Sequence, residues 1–258
     1  MRFLSALIND IRFQLKYGFY YLYALISAIY VVILLISPVE YKAIIASVII
    51  LTDPAMLGTF FIGGIWLLEK SEGLHLFWQA SPLLPMEYVL SKVSSLAVIS
   101  SISSILIIFF GLGTRVNCFL LTAGVFIGSM IFTCAGLLVA TFARSVNQYM
   151  LLASPLEVVV TLPAFLVAFG VSHPALDFFP GAALYHIILS SIEPYGVANG
   201  ASRDMPAGSA QVGALSYPHG YGVYVTTLFV ILIIWLVAAL YFARRRVTEA
   251  LIAESAAV

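Results

Sequence analysis

Two carboxylates, Asp53 and Glu157, stand inside long stretches otherwise free of charge. An acid at bilayer depth is costly, so it points either to substrate or proton handling or to local groups that satisfy it. The neighbouring residues offer the second role. Asp53-Pro54 has the form of a helix N-cap followed by proline at the first helical position. Ser154-Pro155-Leu156-Glu157 has the Ser-x-x-Glu spacing of a capping box, again with proline in first place. Both acids therefore fit spans that break and restart, each satisfying backbone amides that lipid cannot. A broken helix can also contact substrate or a proton, so the two roles stay open. His186 is a third polar candidate for a pathway, set in the apolar segment Gly181–Ile192.

Other chemistry finds little support. His75, His173, His186 and His219 form no metal-binding pattern, and there is no His-Glu-x-x-His or Cys-rich ligand set. An intramembrane hydrolase, which normally activates water through such a motif, fits poorly. No Gly-x-x-x-x-Gly-Lys-Ser/Thr loop is present to wrap phosphates, so ATP hydrolysis is not expected on this chain. Cys118 and Cys134 share one apolar stretch. On a helix they would stand about 24 Å apart, too far to bridge.

The elements that carry these residues belong to a membrane protein. Of 258 residues, 62% are apolar and 9% charged, where a soluble domain carries about a quarter charged. The net charge of zero gives no basic field for nucleic acid. The expected fold is all-α and polytopic, a single transmembrane domain over residues 1–258. Residues 1–16 form an amphipathic helix in the membrane interface, with Phe3, Leu4, Leu7, Ile8, Ile11 and Leu15 on one face. About 20 apolar residues are needed per crossing, and six stretches qualify: 17–39, 43–68, 93–114, 116–143, 148–171 and 221–243. Residues 172–220 form an extracytoplasmic region in which Gly181–Ile192 is apolar but too short to cross, and so reads as re-entrant or interfacial.

Bases orient the chain. Arg2, Arg12, Lys16, Lys70, Lys92, Arg144, Arg244, Arg245 and Arg246 fall on one side, and Lys42, Arg115 and Arg203 on the other. The positive-inside rule then puts both termini in the cytoplasm. Gly124 and Gly128, extended by Gly136, permit close helix approach, either within the chain or at a dimer seam. The serines from Ser94 to Ser104 suit bonds to neighbouring helices better than a pore lining.

The loop from Glu69 to Lys92 reads EKSEGLHLFWQASPLLPMEYVLSK. Glu87 falls in the first turn of a helix opened by Pro85, where the macrodipole favours an acid. Leu74, Phe77 and Trp78 on a short helix make an apolar knob that suits either a partner's groove or the lipid headgroups.

This pattern, an acidic pair, a glycine, an apolar helix, Ser-Pro and a closing lysine, resembles the type-two ABC exporter permeases. Thr52-Asp53-Pro54, Leu57-Gly58, Phe60, Glu69 and Gly73 narrow the resemblance to permeases for fluoroquinolone or multidrug export. It implies that the loop after the second span is a coupling helix, with Glu69, Glu72, Gly73, Leu74, Phe77 and Trp78 touching an ABC ATPase subunit. It also implies a second permease subunit, identical or homologous, in the cytoplasmic membrane of a prokaryote. ATP and Mg would bind the ATPase, with no cofactor on this chain. The cargo would be an amphipathic small molecule, in keeping with an apolar pathway. The stretch from His173-Pro174 to Asp204 is longer than the resemblance implies. Two other readings remain: a proton-coupled secondary carrier using Asp53 and Glu157, and an accessory membrane protein without transport of its own.

Overall fold

The computed structural model describes residues 2–52, 57–80, 83–113, 116–171, 173–192 and 221–255. Among them all regular structure is helical, and six helical segments are long and apolar enough to cross a membrane. The chain is an all-α polytopic membrane protein. Its helices are α1 (Arg2–Lys16), α2 (Phe19–Ile36), α3 (Lys42–Thr52), α4 (Leu57–Ser71), α5 (Leu74–Ala80), α6 (Pro85–Gly111), α7 (Cys118–Ala140), α8 (Val146–Ala168), α9 (Pro174–Asp177), α10 (Pro180–Ile192) and α11 (Tyr221–Ser255). The second crossing is made by α3 and α4, on either side of residues 53–56. Asp53 and its Asp-Pro motif lie outside the described residues.

The helices sort into a centre and a perimeter. Of the spanning window of α7, 72% is buried within the chain, against 17% for α2 and for α11. The perimeter helices turn Leu25, Ile29, Val32, Val158, Leu162, Ile234 and Val237 outward, as helices in lipid should. Two apolar clusters fill the interior. One gathers Leu34, Ile50, Ile107, Leu121 and Ile187 at the far end, and the other gathers Tyr23, Trp66, Tyr88, Leu137 and Tyr149 at the end that carries α1 and α5.

Glycine brings the central helices together. At Gly136 an added Cβ would meet the Thr59 carbonyl oxygen at 2.7 Å, so α4 and α7 touch backbone to backbone. Thr59 Oγ1 donates to the Phe132 carbonyl across the same crossing. Gly124 and Gly128 receive Ile187 and Leu184 of α10. The Gly-x-x-x-Gly face is therefore filled from within the chain rather than by a second copy.

The short α10 is buried at every one of its 13 positions, about 20 Å of helix by its rise per residue. Its last turn accepts a bond from Asn117 N at the start of α7. At its other end Trp235 Nε1, four turns into α11, donates to the Phe178 carbonyl. Those two ties set α10 between the start of α7 and the middle of α11.

One expectation about the spans needs correction. The fifth span does not break at Ser154-Pro155: α8 is one continuous helix through Pro155 and Pro163. Ser154 Oγ donates back to the Met150 carbonyl at 2.6 Å, so the hydroxyl serves the preceding turn and caps nothing. The helix is capped at its actual start, where Ser145 Oγ accepts from Gln148 N and Gln148 Oε1 accepts from Arg144 N. The last helix also continues past Ala243 without interruption to Ser255, 35 residues in all. That is about 52 Å, well beyond a bilayer core.

Candidate functional site at the α5 end of the bundle

The chain turns from α1 into α2 at Gly18, whose φ of 83° is a left-handed conformation that glycine adopts without strain. That corner lays α1 across the start of α6. The helix is amphipathic as its spacing predicts, but the face it turns inward is polar. Ala6, Asp10 and Gln14 are buried, while Leu4, Ile8 and Leu15 are exposed. An apolar face turned out and a polar face turned in suits a helix seated in the rim of a bilayer.

Asp10 and Gln14 meet a polar stripe on α6. Lys92 Nζ lies 2.6 Å from Asp10 Oδ1 and 2.5 Å from Glu69 Oε1, with all three side chains at least 95% buried. Ser91 Oγ donates to Asp10 Oδ2 at 2.7 Å, and Tyr88 OH donates to Glu69 Oε2 at 2.7 Å. Gln14 Nε2 donates to Ser95 Oγ at 2.6 Å. Every carboxylate oxygen of the cluster thus has a donor. Those donors let two acids share one buried cation, an arrangement that is unfavourable when any lone pair is left unmet. The Tyr88 and Trp78 rings complete the surroundings, their centroids 5.0 and 5.7 Å from the ammonium.

The α5 loop hangs on this cluster. Glu69, expected at the surface as a contact for a partner, is instead buried and ion-paired to Lys92. Trp78, expected on the same knob as Phe77, is half-buried and packs edge-on to Tyr88 with ring centroids 5.7 Å apart. A seven-residue helix cannot show all its side chains outward, and Trp78 follows the buried side of α5. Leu74 is half-buried, while Glu72, Gly73 and Phe77 face out, Phe77 at 62% exposure. Gly73 forms the turn into α5 with a φ of 70°, and Tyr17 OH at the end of α1 donates to Glu72 Oε1 at 2.8 Å. His75 is buried and packs at a tilt against Trp66, with ring centroids 4.3 Å apart. Beyond α5 the chain enters α6 at Pro85. Glu87 Oε2 accepts from Leu84 N at 2.9 Å, as an acid in a proline-opened first turn should. A cleft of about 230 Å³ separates α5 and α6 from the end of α11, lined by Trp78, Leu83, Pro85, Tyr88, Thr248, Leu251 and Ile252.

The intramembrane candidates lie elsewhere. Glu157 is half-buried on α8; its carbonyl accepts from Thr161 Oγ1 at 2.7 Å, and its carboxylate has no hydrogen bond among the described residues. His186 is buried on α10, with Nε2 3.0 Å from Asp177 Oδ1, and so ties the short α9 turn to α10. Of the serines from Ser94 to Ser104, Ser95 bonds Gln14 of α1 and Ser100 bonds Ser129 of α7 at 3.0 Å, whereas Ser101 and Ser104 donate to carbonyls of α6 itself. Among the described residues no group of three His, Cys, Asp or Glu could hold a metal ion. Sequence reasoning missed Asp10 and Gln14. Their signal was an acid and an amide four residues apart in an otherwise basic amphipathic segment.

No protein-family model matches the chain. Over 163 residues, 63% of its length, it is 25% identical to two proteins of Mycobacterium tuberculosis, from strains CDC 1551 / Oshkosh and ATCC 25618 / H37Rv. Each is named a fluoroquinolones export permease protein, and the matched region covers 69% of each. The chain is thus a six-span helical membrane protein with distant sequence similarity to drug export permeases.

Proposed function

We propose that this chain is the membrane-spanning subunit of an ATP-driven ABC exporter that moves an amphipathic, drug-like molecule out of the cell. The observation that carries the proposal is α5, a short helix outside the spanning segments with Phe77 exposed at its tip and its root held by buried ions. An apolar side chain on a well-anchored turn is what a partner's groove needs. Similarity to proteins named as export permeases supports the transport half of the reading. A second copy or a homologous permease completes the pathway, and both termini lie in the cytoplasm. ATP and Mg belong to the partner ATPase.

Purification from native membranes in mild detergent tests this. An ATPase with a Walker phosphate loop should accompany the chain, and amphipathic drugs should raise its hydrolysis rate. A chain that purifies alone and exports drug on a proton gradient would overturn the proposal. That outcome would favour a proton-coupled carrier, for which the unbonded Glu157 carboxylate is the supporting observation.

A further inference from the structure

Lys92, Asp10 and Glu69 join three segments that are remote in the chain: α1, the last turn of α4 and the first turns of α6. Between the latter two hangs α5, and no other segment interrupts them. We propose that Lys92 is a positioning residue whose two ion pairs clamp α1, the root of the α5 loop and the start of α6 into one moving unit. Displacement of α5 is thereby passed to α1 and α6 together. The proposal concerns the same loop as the exporter reading, and its transmission half rests on that reading, whereas the clamp itself does not.

The choice of residues argues for positioning rather than bulk stability. Apolar side chains of similar volume would hold buried helices together at least as well as an ion triad. What ions and directed hydrogen bonds add is register. Lys92 has one geometry in which it reaches Asp10 at 2.6 Å and Glu69 at 2.5 Å, while Ser91 and Tyr88 serve the remaining oxygens. Rotating or sliding α1 by one residue would strand a carboxylate in a dry interior. A second tie lies at the surface, where Tyr17 OH donates to Glu72. Helix α1 therefore grips the α4–α5 turn both inside and outside the bundle. Meanwhile its own apolar side, with Leu4, Ile8 and Leu15, is left free to move along the bilayer rim.

The test reads the clamp and the transmission separately. Ala6, buried on the inward face of α1 and outside the ion network, is replaced by cysteine in a chain carrying Cys118→Ala, since Cys118 is exposed and Cys134 buried. The rate of N-ethylmaleimide labelling is measured on the full chain in open membrane fragments. Drug accumulation is measured with ciprofloxacin in cells producing the chain together with its ATPase. Lys92→Met strands two carboxylates and can lower yield, so the neutral triple Asp10→Asn/Glu69→Gln/Lys92→Met is measured beside it.

In the triple, with yield near that of the parent, labelling at position 6 should rise at least tenfold and drug export should be lost. Lys92→Arg, which keeps the charge, should stay protected and retain export. Protection of position 6 in the triple would overturn the clamp. A freed α1 with export intact would overturn its transmitting role. A parent chain that never exports ciprofloxacin, yet shows the same labelling pattern, would count against the exporter reading while upholding the clamp.

Discussion

A methyl group on Gly136 would lie 2.7 Å from the Thr59 carbonyl oxygen and 2.8 Å from Thr59 Cα, and backbone atoms cannot turn aside as a rotamer can. Gly136→Ala should therefore force α4 and α7 apart, at a cost of about 1–3 kcal/mol for an overpacked interior. Gly64, one residue from the equally crowded Gly63, has nothing within 4 Å. Gly64→Ala should raise stability by up to about 1 kcal/mol through helix propensity alone. Melting temperatures of the purified variants check both, and a shift of the same sign in the two would contradict the packing account. Glu157 is a different kind of residue. Because α8 runs unbroken through Pro155, its carboxylate is not engaged as a cap. Under the exporter reading Glu157→Gln should keep drug export within about twofold at unchanged membrane yield. A well-folded but inactive Gln variant would point to proton handling, which needs a titratable group.

At the scale of the element, α5 separates two aromatic neighbours into two roles. Phe77 faces out and Trp78 faces in, against Tyr88 and the Lys92 ammonium. Phe77→Ala should leave thermal stability within about 0.5 kcal/mol, as surface substitutions do, yet abolish drug-stimulated ATP hydrolysis in the assembled complex. Trp78→Ala should instead destabilise the chain by about 2 kcal/mol or more, because it opens a hole in a packed cluster. Thermal unfolding and ATPase assays on the same two preparations separate the roles. Full stimulation by the Phe77→Ala complex would remove α5 as the contact. The spacing of Leu74, Phe77 and Trp78 showed a short helix with all three on one broad apolar face, but not which edge of that face packs inward, and Phe77 and Trp78 stand at its opposite edges. The rotation is set by Tyr88 and Lys92, which come from the next helix.

For the molecule as a whole, an even number of crossings puts α1, α5 and the end of α11 on one face and the 39–41 turn on the other. The base asymmetry makes the first of these the cytoplasmic face under our proposal. A cysteine at Ser71 should be protected from impermeant thiol reagents in intact cells, and one at Glu40 should react. Reaction at Ser71 with protection at Glu40 would invert the topology. Either way, α11 carries the helix about 12 residues beyond the expected span, so that Leu251 and Ile252 line the cleft beside Trp78.

The sequence by itself determined the crossings, because a bilayer demands a run of apolar residues for each one and that demand is written along a single chain. It likewise determined the amphipathic α1, an apolar α10 too short to cross and the proline-opened start of α6, each a local pattern of period, length or cap. Tertiary structure alone decided which polar groups meet. Lys92 is 82 residues from Asp10 and 23 from Glu69. Nothing in α6, where serines and apolar residues are both buried on several sides, states its rotation against its neighbours. Packing geometry sets that rotation: glycines let backbones close, and the closed bundle leaves one alignment in which both buried carboxylates find a cation and their donors.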